Sequence, residues 1–248
     1  MHHQYPNCPV REALVEFYFD SDAPWDDTYT GLFYQEVSAE YPTKEQRITN
    51  AASLQQDGPQ PGMKFEFSQR FIAKRADGAA LIQLSPNLLV VNVLLPYGGW
   101  ETLRDRAESA LNVYKTVCAP SGLKSIGLRY LNRLEIPSGR VDLDDYFTLH
   151  PEMPDEGPLA FDMGAFAVMA EYPYAEGRDV LRLDMRSTPD QEPTKLSIAY
   201  DLYYRSTMLG SAETEVVMAW LESAHDAVSA AFEATLTDAT RAILNGEN

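Results

Sequence analysis

Cysteine, histidine and positive charge are all scarce in this chain. Two cysteines, Cys8 and Cys118, stand in 248 residues, too few for a disulfide framework, and a chain this long buries enough surface not to need one. The four histidines are His2, His3, His150 and His225. They form no His-x3-His pair, and no Cys-x2-Cys occurs, so the common transition-metal motifs are excluded. Twenty Lys and Arg face 37 Asp and Glu, a net charge of −17, which opposes binding to DNA, RNA and anionic membranes over most of the surface. No apolar run approaches the roughly 18 residues of a membrane-spanning helix; the longest, Leu88 to Leu95, is interrupted by Asn92. The start, Met1-His2-His3-Gln4-Tyr5-Pro6, has neither the basic nor the apolar stretch of a secretory signal. A soluble, cytoplasmic protein is the expectation. Neither Gly-x-Ser-x-Gly nor a phosphate-binding loop is present, so the sequence offers no catalytic residue, cofactor or metal to name.

What is present is alternation. Residues 123–136 place Ile126, Leu128, Tyr130, Leu134 and Ile136 on one face and Gly127, Arg129, Leu131, Arg133 and Glu135 on the other, the period of a half-buried β-strand. Glu12 to Asp20 alternates in the same way. An Asp-rich turn with Asp26-Asp27 then leads to a helix over Thr28–Glu40, stopped by Pro42. Residues 49–62, rich in Gln, Pro and Gly, read as a loop. Three strands follow, around Met63–Ile72, Ala79–Leu84 and Leu88–Val91, the last apolar on both faces. A helix from Trp100 to Cys118 carries Trp100, Leu103, Ala107, Ala110, Leu111, Tyr114 and Val117 as its inner stripe.

The order then repeats. Strand 123–136 matches the first strand, Val141–Phe147 matches Trp25–Tyr29 with a shared Asp-Asp pair, and a Pro-rich loop over 151–158 stands where the first loop stood. Three strands follow, around Phe166–Tyr172, Leu181–Met185 and Leu196–Tyr204. The turn at 189–193 separates the last two, and one long helix over 213–244 closes the chain. The fold class expected is α+β: a duplicated strand–helix–three strands–helix unit, copies at 1–122 and 123–248. The copies form one antiparallel sheet with helices on one face. The order resembles the duplicated TATA-binding-protein-like and helix-grip topologies, an analogy of fold alone.

Several segments resemble a sporadically distributed family of bacterial proteins of about this length. They are Gly31-Leu32-Phe33-Tyr34, Ser85-Pro86-Asn87-Leu88-Leu89, Pro96-Tyr97 with Trp100, and Gly127-Leu128-Arg129-Tyr130-Leu131-Asn132-Arg133. Asp145-Tyr146-Phe147 and the His225–Phe232 part of the last helix complete the set. The resemblance implies a single full-length unit. The family has no established activity, so it brings no catalytic residues.

The charge is uneven. Residues 1–137 hold 16 acidic and 13 basic residues, and residues 138–248 the remaining 21 and 7. The acidic half is either a solvated surface or a contact for a basic partner. Yet five of the ten basic residues after 122 fall on one strand face by alternation: Arg129, Arg133, Arg182, Arg186 and Arg205, with Tyr203 beside them. They form either a ladder of cross-strand pairs with Glu135, Asp184 and Asp201 or an arginine-lined site for an anion, since the guanidinium fork suits carboxylate or phosphate. Asn132 lies on the apolar face and is expected to be hydrogen-bonded there. Tyr97-Gly98-Gly99-Trp100 reads as a helix entry or an anion cradle. His225 with Asp226 and Glu222 reads as a hydrogen-bonded seam or a metal group. Three functions follow: a non-enzymatic protein that binds a protein partner or small anionic ligand, an antitoxin- or immunity-like protein masking a basic partner, or an enzyme with an unrecognised site.

Overall fold

The structure, a computed structural model, describes residues 5–22, 24–55, 62–137, 142–151, 165–188, 195–207 and 209–247. In chain order these form β1 (Val10–Asp20), α1 (Thr28–Val37), β2 (Thr43–Gln55), β3 (Gly62–Lys74), β4 (Ala80–Ser85), β5 (Leu88–Val93) and α2 (Trp100–Cys118). After them come β6 (Gly122–Pro137), β7 (Ala167–Tyr174), β8 (Asp179–Thr188), β9 (Lys195–Ser206), α3 (Thr214–Thr235) and α4 (Asp238–Asn245). The nine strands make one antiparallel sheet in the order β2-β3-β4-β5-β1-β6-β9-β8-β7. The expectation of an α+β fold built on an antiparallel sheet is met.

β1 and β6 are the centre. Across them runs the row Val91–Val15–Leu128–Tyr204–Leu181, contributed by β5, β1, β6, β9 and β8, and every member is buried. Both long helices cover this face. Tyr114 of α2 stacks on Phe19, ring centroids 4.1 Å apart, and Trp220 of α3 meets Tyr204 at 5.5 Å. The stripe of α2 is buried as its periodicity predicts, Val117 excepted, which is half-buried. Burying a large side chain of this kind contributes about 1.5–3 kcal/mol, so Tyr114, Phe17 and Phe33, each at most 1% exposed, anchor the first half.

Three elements differ from the sequence reading. Residues 43–55, of which 49–55 read as loop, form strand β2, so four strands rather than three separate α1 from α2. β2 is an edge strand with β3 as its sheet neighbour, and its Thr43-Lys44-Glu45-Gln46-Arg47 start has no apolar face for alternation to reveal. The helical match at Val141–Phe147 reduces to one 3-10 turn over Leu143–Asp145. The closing helix is two helices, broken at Leu236. There the backbone is extended and bridges Phe147, while Thr237 donates its N–H to Tyr146 O and its hydroxyl to Asp145 O. Those partners, 91 and 92 residues away in sequence, satisfy the groups a continuous helix would have bonded internally. Past Pro151, the expected Pro-rich loop lies outside the described residues, as does the turn at 189–193. Among the described residues no helix is long and apolar enough to cross a membrane.

Candidate functional site

The sheet face opposite the helices carries the arginines singled out by alternation. Pairing brings Arg129, Tyr203 and Arg182 into one row across β6, β9 and β8. Arg129 donates through Nε and Nη2 to both carboxylate oxygens of Asp201, at 2.9 and 2.5 Å, and Arg182 lies 3.8 Å from the same carboxylate. The Tyr203 ring lies between them, 5.7 Å from the Arg129 guanidinium and 5.9 Å from that of Arg182, and its hydroxyl donates to Glu16 at 3.0 Å. Arg186 bonds Asp184, with Nε–Oδ1 at 3.1 Å. Arg133 donates to the Ser197 hydroxyl at 2.9 Å and its Nε lies 3.5 Å from Glu135. Arg205 lies 3.9 Å from Glu171. Each of the five therefore has a carboxylate within ion-pair range: Arg129 and Arg182 reach Asp201 on the neighbouring strand and Arg205 reaches Glu171 on β7, as in a cross-strand ladder, whereas Arg133–Glu135 and Arg186–Asp184 are pairs along one strand. The polar chain continues over β3, β4 and β5: Arg70 donates to Gln83, Gln83 to Asn92 and Asn92 to Glu12.

Asn132 is on the other face. It is 6% exposed, and its amide donates to Tyr200 O at 3.1 Å, as an amide on an apolar face must. It also lines a cleft of about 600 Å³ on the helix side of the sheet. Five segments build this cleft. The N-terminal stretch from Tyr5 to Val10 forms one wall and residues Tyr97–Glu101, entering α2, another. α3 from His225 to Glu233 faces them, and Tyr130 and Asn132 of β6 with Leu202 of β9 form the floor.

The walls are held by hydrogen bonds between elements. The Tyr97 hydroxyl donates to Tyr130 at 3.3 Å, and the Tyr130 hydroxyl and His225 Nδ1 are 3.0 Å apart. The His225 ring stacks on Trp100, centroids 4.3 Å apart and planes 6° from parallel, and Trp100 Nε1 donates to Glu222 at 3.0 Å. Burial raises the Tyr130 hydroxyl well above its usual range, with the neighbouring Tyr97 adding to the effect, and burial raises Tyr97 as well. Both stay neutral donors at physiological pH. On the N-terminal wall the Tyr5 hydroxyl donates to the Glu233 carboxylate at 2.8 Å; burial and that carboxylate push its pKa up to about 12. Gly99, at the turn into α2, has φ +94, a conformation that favours glycine, and it brings the backbone against the cleft.

No family model and no curated protein matches the chain.

The sequence singled out one residue of this cleft as a binding candidate, Asn132, and left two of its segments between a structural and a ligand role: Tyr97–Trp100 as a helix entry or anion cradle, His225 as a hydrogen-bonded seam or metal group. Tyr97–Trp100 does enter a helix, and His225 is buried and hydrogen-bonded. Their convergence was invisible because Trp100 and His225 are 125 residues apart, and periodicity speaks only of neighbours. Asp26 precedes α1, and Asp144 lies inside the 3-10 turn Leu143–Asp145. Asp26 Oδ1 accepts the Thr28 N–H at 2.8 Å and its hydroxyl at 2.7 Å, the local role that Asp takes at helix starts.

Proposed function

We propose that this protein is a non-enzymatic binding protein whose ligand enters the cleft between the Tyr5–Val10 segment, the start of α2 and α3. The observation that carries this reading is a cavity of about 600 Å³ whose aromatic walls are fixed by hydrogen bonds and stacking across three elements. Ligand sites in proteins are commonly this size, apolar, and furnished with a few polar groups, and walls already ordered lower the entropic cost of binding. The engagement of His225 by Tyr130 and Trp100 supports a positioning role for that ring over a catalytic one.

The test is a fragment screen followed by protein NMR. Hits are expected to shift the Trp100 indole resonance and to be lost in Ala230→Trp, which places a bulky ring at an exposed position on the cleft. An absence of hits, or hits that survive Ala230→Trp, refutes the reading.

A second reading, masking of a basic partner by the acidic C-terminal half, is favoured by Glu215 and Asp226, both exposed on α3. Co-purification from the native host with a stoichiometric basic protein would support it; a retained small molecule supports the first. We also read the two halves as copies of one unit. The support is topological: each opening strand, β1 or β6, is central and pairs on its outer side with the last strand before a long helix, β5 or β9.

A further inference from the structure

The floor of the cleft holds a primary amide. Asn132 is 6% exposed and shares the cleft lining with the apolar Val10, Leu202, Val228 and Phe232. Its Nδ2 donates to Tyr200 O at 3.1 Å. A carbonyl oxygen accepts only from the nitrogen end of an amide, so this bond fixes which end is which. The other end, Oδ1, accepts no hydrogen bond among the described residues. Nor is it sealed off: the residue lines the cleft, and Oδ1 is not among the buried polar atoms that lack a partner.

Two features mark this acceptor as a ligand contact. Covering the Tyr200 carbonyl takes a donor alone, whereas the amide brings an acceptor that the fold leaves unused on an otherwise apolar floor. The register of β1 on β6 also shifts between Val10 and Glu12, and Val10 is the residue that pairs with Asn132. Irregularities of this kind re-aim side chains and are over-represented next to active sites. The carboxylates lining the cleft are placed differently. Glu101 and Asp226 are exposed, and Glu233 already accepts from Tyr5 and Arg241.

We propose that the cleft selects its ligand by an uncharged hydrogen-bond donor, a hydroxyl or N–H on a ring-sized apolar body, delivered to Asn132 Oδ1. The proposal rests on the cleft being the binding site and adds the chemistry of what it takes. The donor is uncharged because an ion brought to an apolar floor and met by one neutral amide loses more solvation than the bond returns. A ligand of the same shape without a donor shuts solvent away from Oδ1 and leaves it stranded, which is costly.

Three naphthalenes that differ in one substituent separate these cases. 2-Naphthol carries the donor and is uncharged at neutral pH, 2-methoxynaphthalene carries an acceptor alone, and 2-methylnaphthalene carries neither. Cys8 supplies the readout. It is exposed and lines the cleft, whereas Cys118 is buried, so a maleimide reports Cys8 alone, and a bound ligand slows its labelling. 2-Naphthol is expected to protect Cys8 at concentrations about five- to 100-fold lower than 2-methylnaphthalene, the range set by one hydrogen bond made in place of one stranded acceptor. 2-Methoxynaphthalene is expected to protect no better than 2-methylnaphthalene. In Asn132→Leu, which keeps the size and removes the amide, the advantage of 2-naphthol should disappear. A second measurement needs no variant: the side-chain carbonyl-carbon NMR resonance of Asn132 should move downfield with 2-naphthol and not with 2-methylnaphthalene.

Equal protection by 2-naphthol and 2-methylnaphthalene overturns the proposal. So does 2-methoxynaphthalene matching 2-naphthol, an advantage that survives in a folded Asn132→Leu, an Asn132 carbonyl resonance that does not respond, or protection by none of the three. Failure of the cleft as a binding site is distinct: there, the fragment screen gives no hits, or its hits survive Ala230→Trp.

Discussion

The Tyr130 hydroxyl and the Nδ1 of His225 share a hydrogen bond of 3.0 Å, joining the central strand β6 to α3 beneath the cleft. Both residues are about 95% buried, so neither has bulk water as a substitute partner. Tyr130→Phe keeps the ring and removes the link to both His225 and Tyr97. It is expected to cost about 1–3 kcal/mol, the penalty for stranding buried polar groups, measured by urea unfolding. His225→Ala removes the ring stacked on Trp100 and should shift Trp100 fluorescence; an unchanged spectrum refutes the stacking.

Asp179 is a buried carboxylate, 1% exposed. It accepts from Arg178 at 2.9 and 2.7 Å, from the Tyr204 hydroxyl at 3.2 Å and from Trp220 Nε1 at 3.2 Å. Burial alone would raise its pKa; the hydrogen bonds from Arg178, Ser206 and Trp220 win, and it lies below the usual carboxylate range. A depressed carboxylate stabilises the fold fully above its unfolded pKa and loses that contribution as pH falls from there towards the folded value. Wild-type stability should therefore fall below about pH 4, and part of that slope should vanish in Asp179→Asn. At neutral pH the same variant should be destabilised by about 1–3 kcal/mol, the cost of weakening the partners of buried donors, because Arg178 is 43% exposed and regains water.

Gly127 is required by Tyr203. A Cβ at 127 would lie 2.5 Å from Cε2 of that ring and 2.7 Å from its hydroxyl. Gly127→Ala should cost about 1–3 kcal/mol, as overpacking does. Tyr203→Ala removes the obstacle, so the double variant should be more stable than the sum of the two single losses. Strict additivity, measured by thermal unfolding, would show that the ring does not cover the glycine.

Tyr5 ties the N-terminal wall of the cleft to α3 through Glu233. Its hydroxyl is held neutral to about pH 12, above the ordinary value near 10. A raised pKa gives stability that is present below the ordinary value and lost as pH rises towards the folded one. Cys8 labelling, corrected for thiolate content, should accelerate between about pH 10 and 12 as this wall releases. In Tyr5→Phe the wall should already be loose at pH 8 and the added alkaline dependence absent.

Arg129 holds Asp201 through two parallel hydrogen bonds, and the Asp201 side chain is 14% exposed. Arg129→Lys keeps the charge but not the fork, so it should lose about 1 kcal/mol or more in urea unfolding. Arg186→Lys, whose side chain is 54% exposed, should change little.

The strands and the two long amphipathic helices were legible in the sequence because each has a period that local residues alone enforce. Ile126, Leu128 and Tyr130 alternate with Gly127 and Arg129, and a strand with one buried face follows without knowledge of its neighbours. The same alternation put the arginines on one face and Asn132 on the other, as found. It did not reveal β2, whose polar edge has little to bury, nor the break at Leu236, set by Phe147 and Tyr146 from another part of the chain. Whether the arginines stood free or paired was a matter of register: only the pairing of β6, β9 and β8 put Asp201 under Arg129 and Arg182. The cleft was likewise decided by tertiary structure. Tyr5, Trp100, Tyr130 and His225 come from the N-terminal segment, α2, β6 and α3, and only packing both long helices on one sheet face brings them together. Sequence fixes what each residue prefers to bury; the sheet order decides which residues share the space that burial leaves.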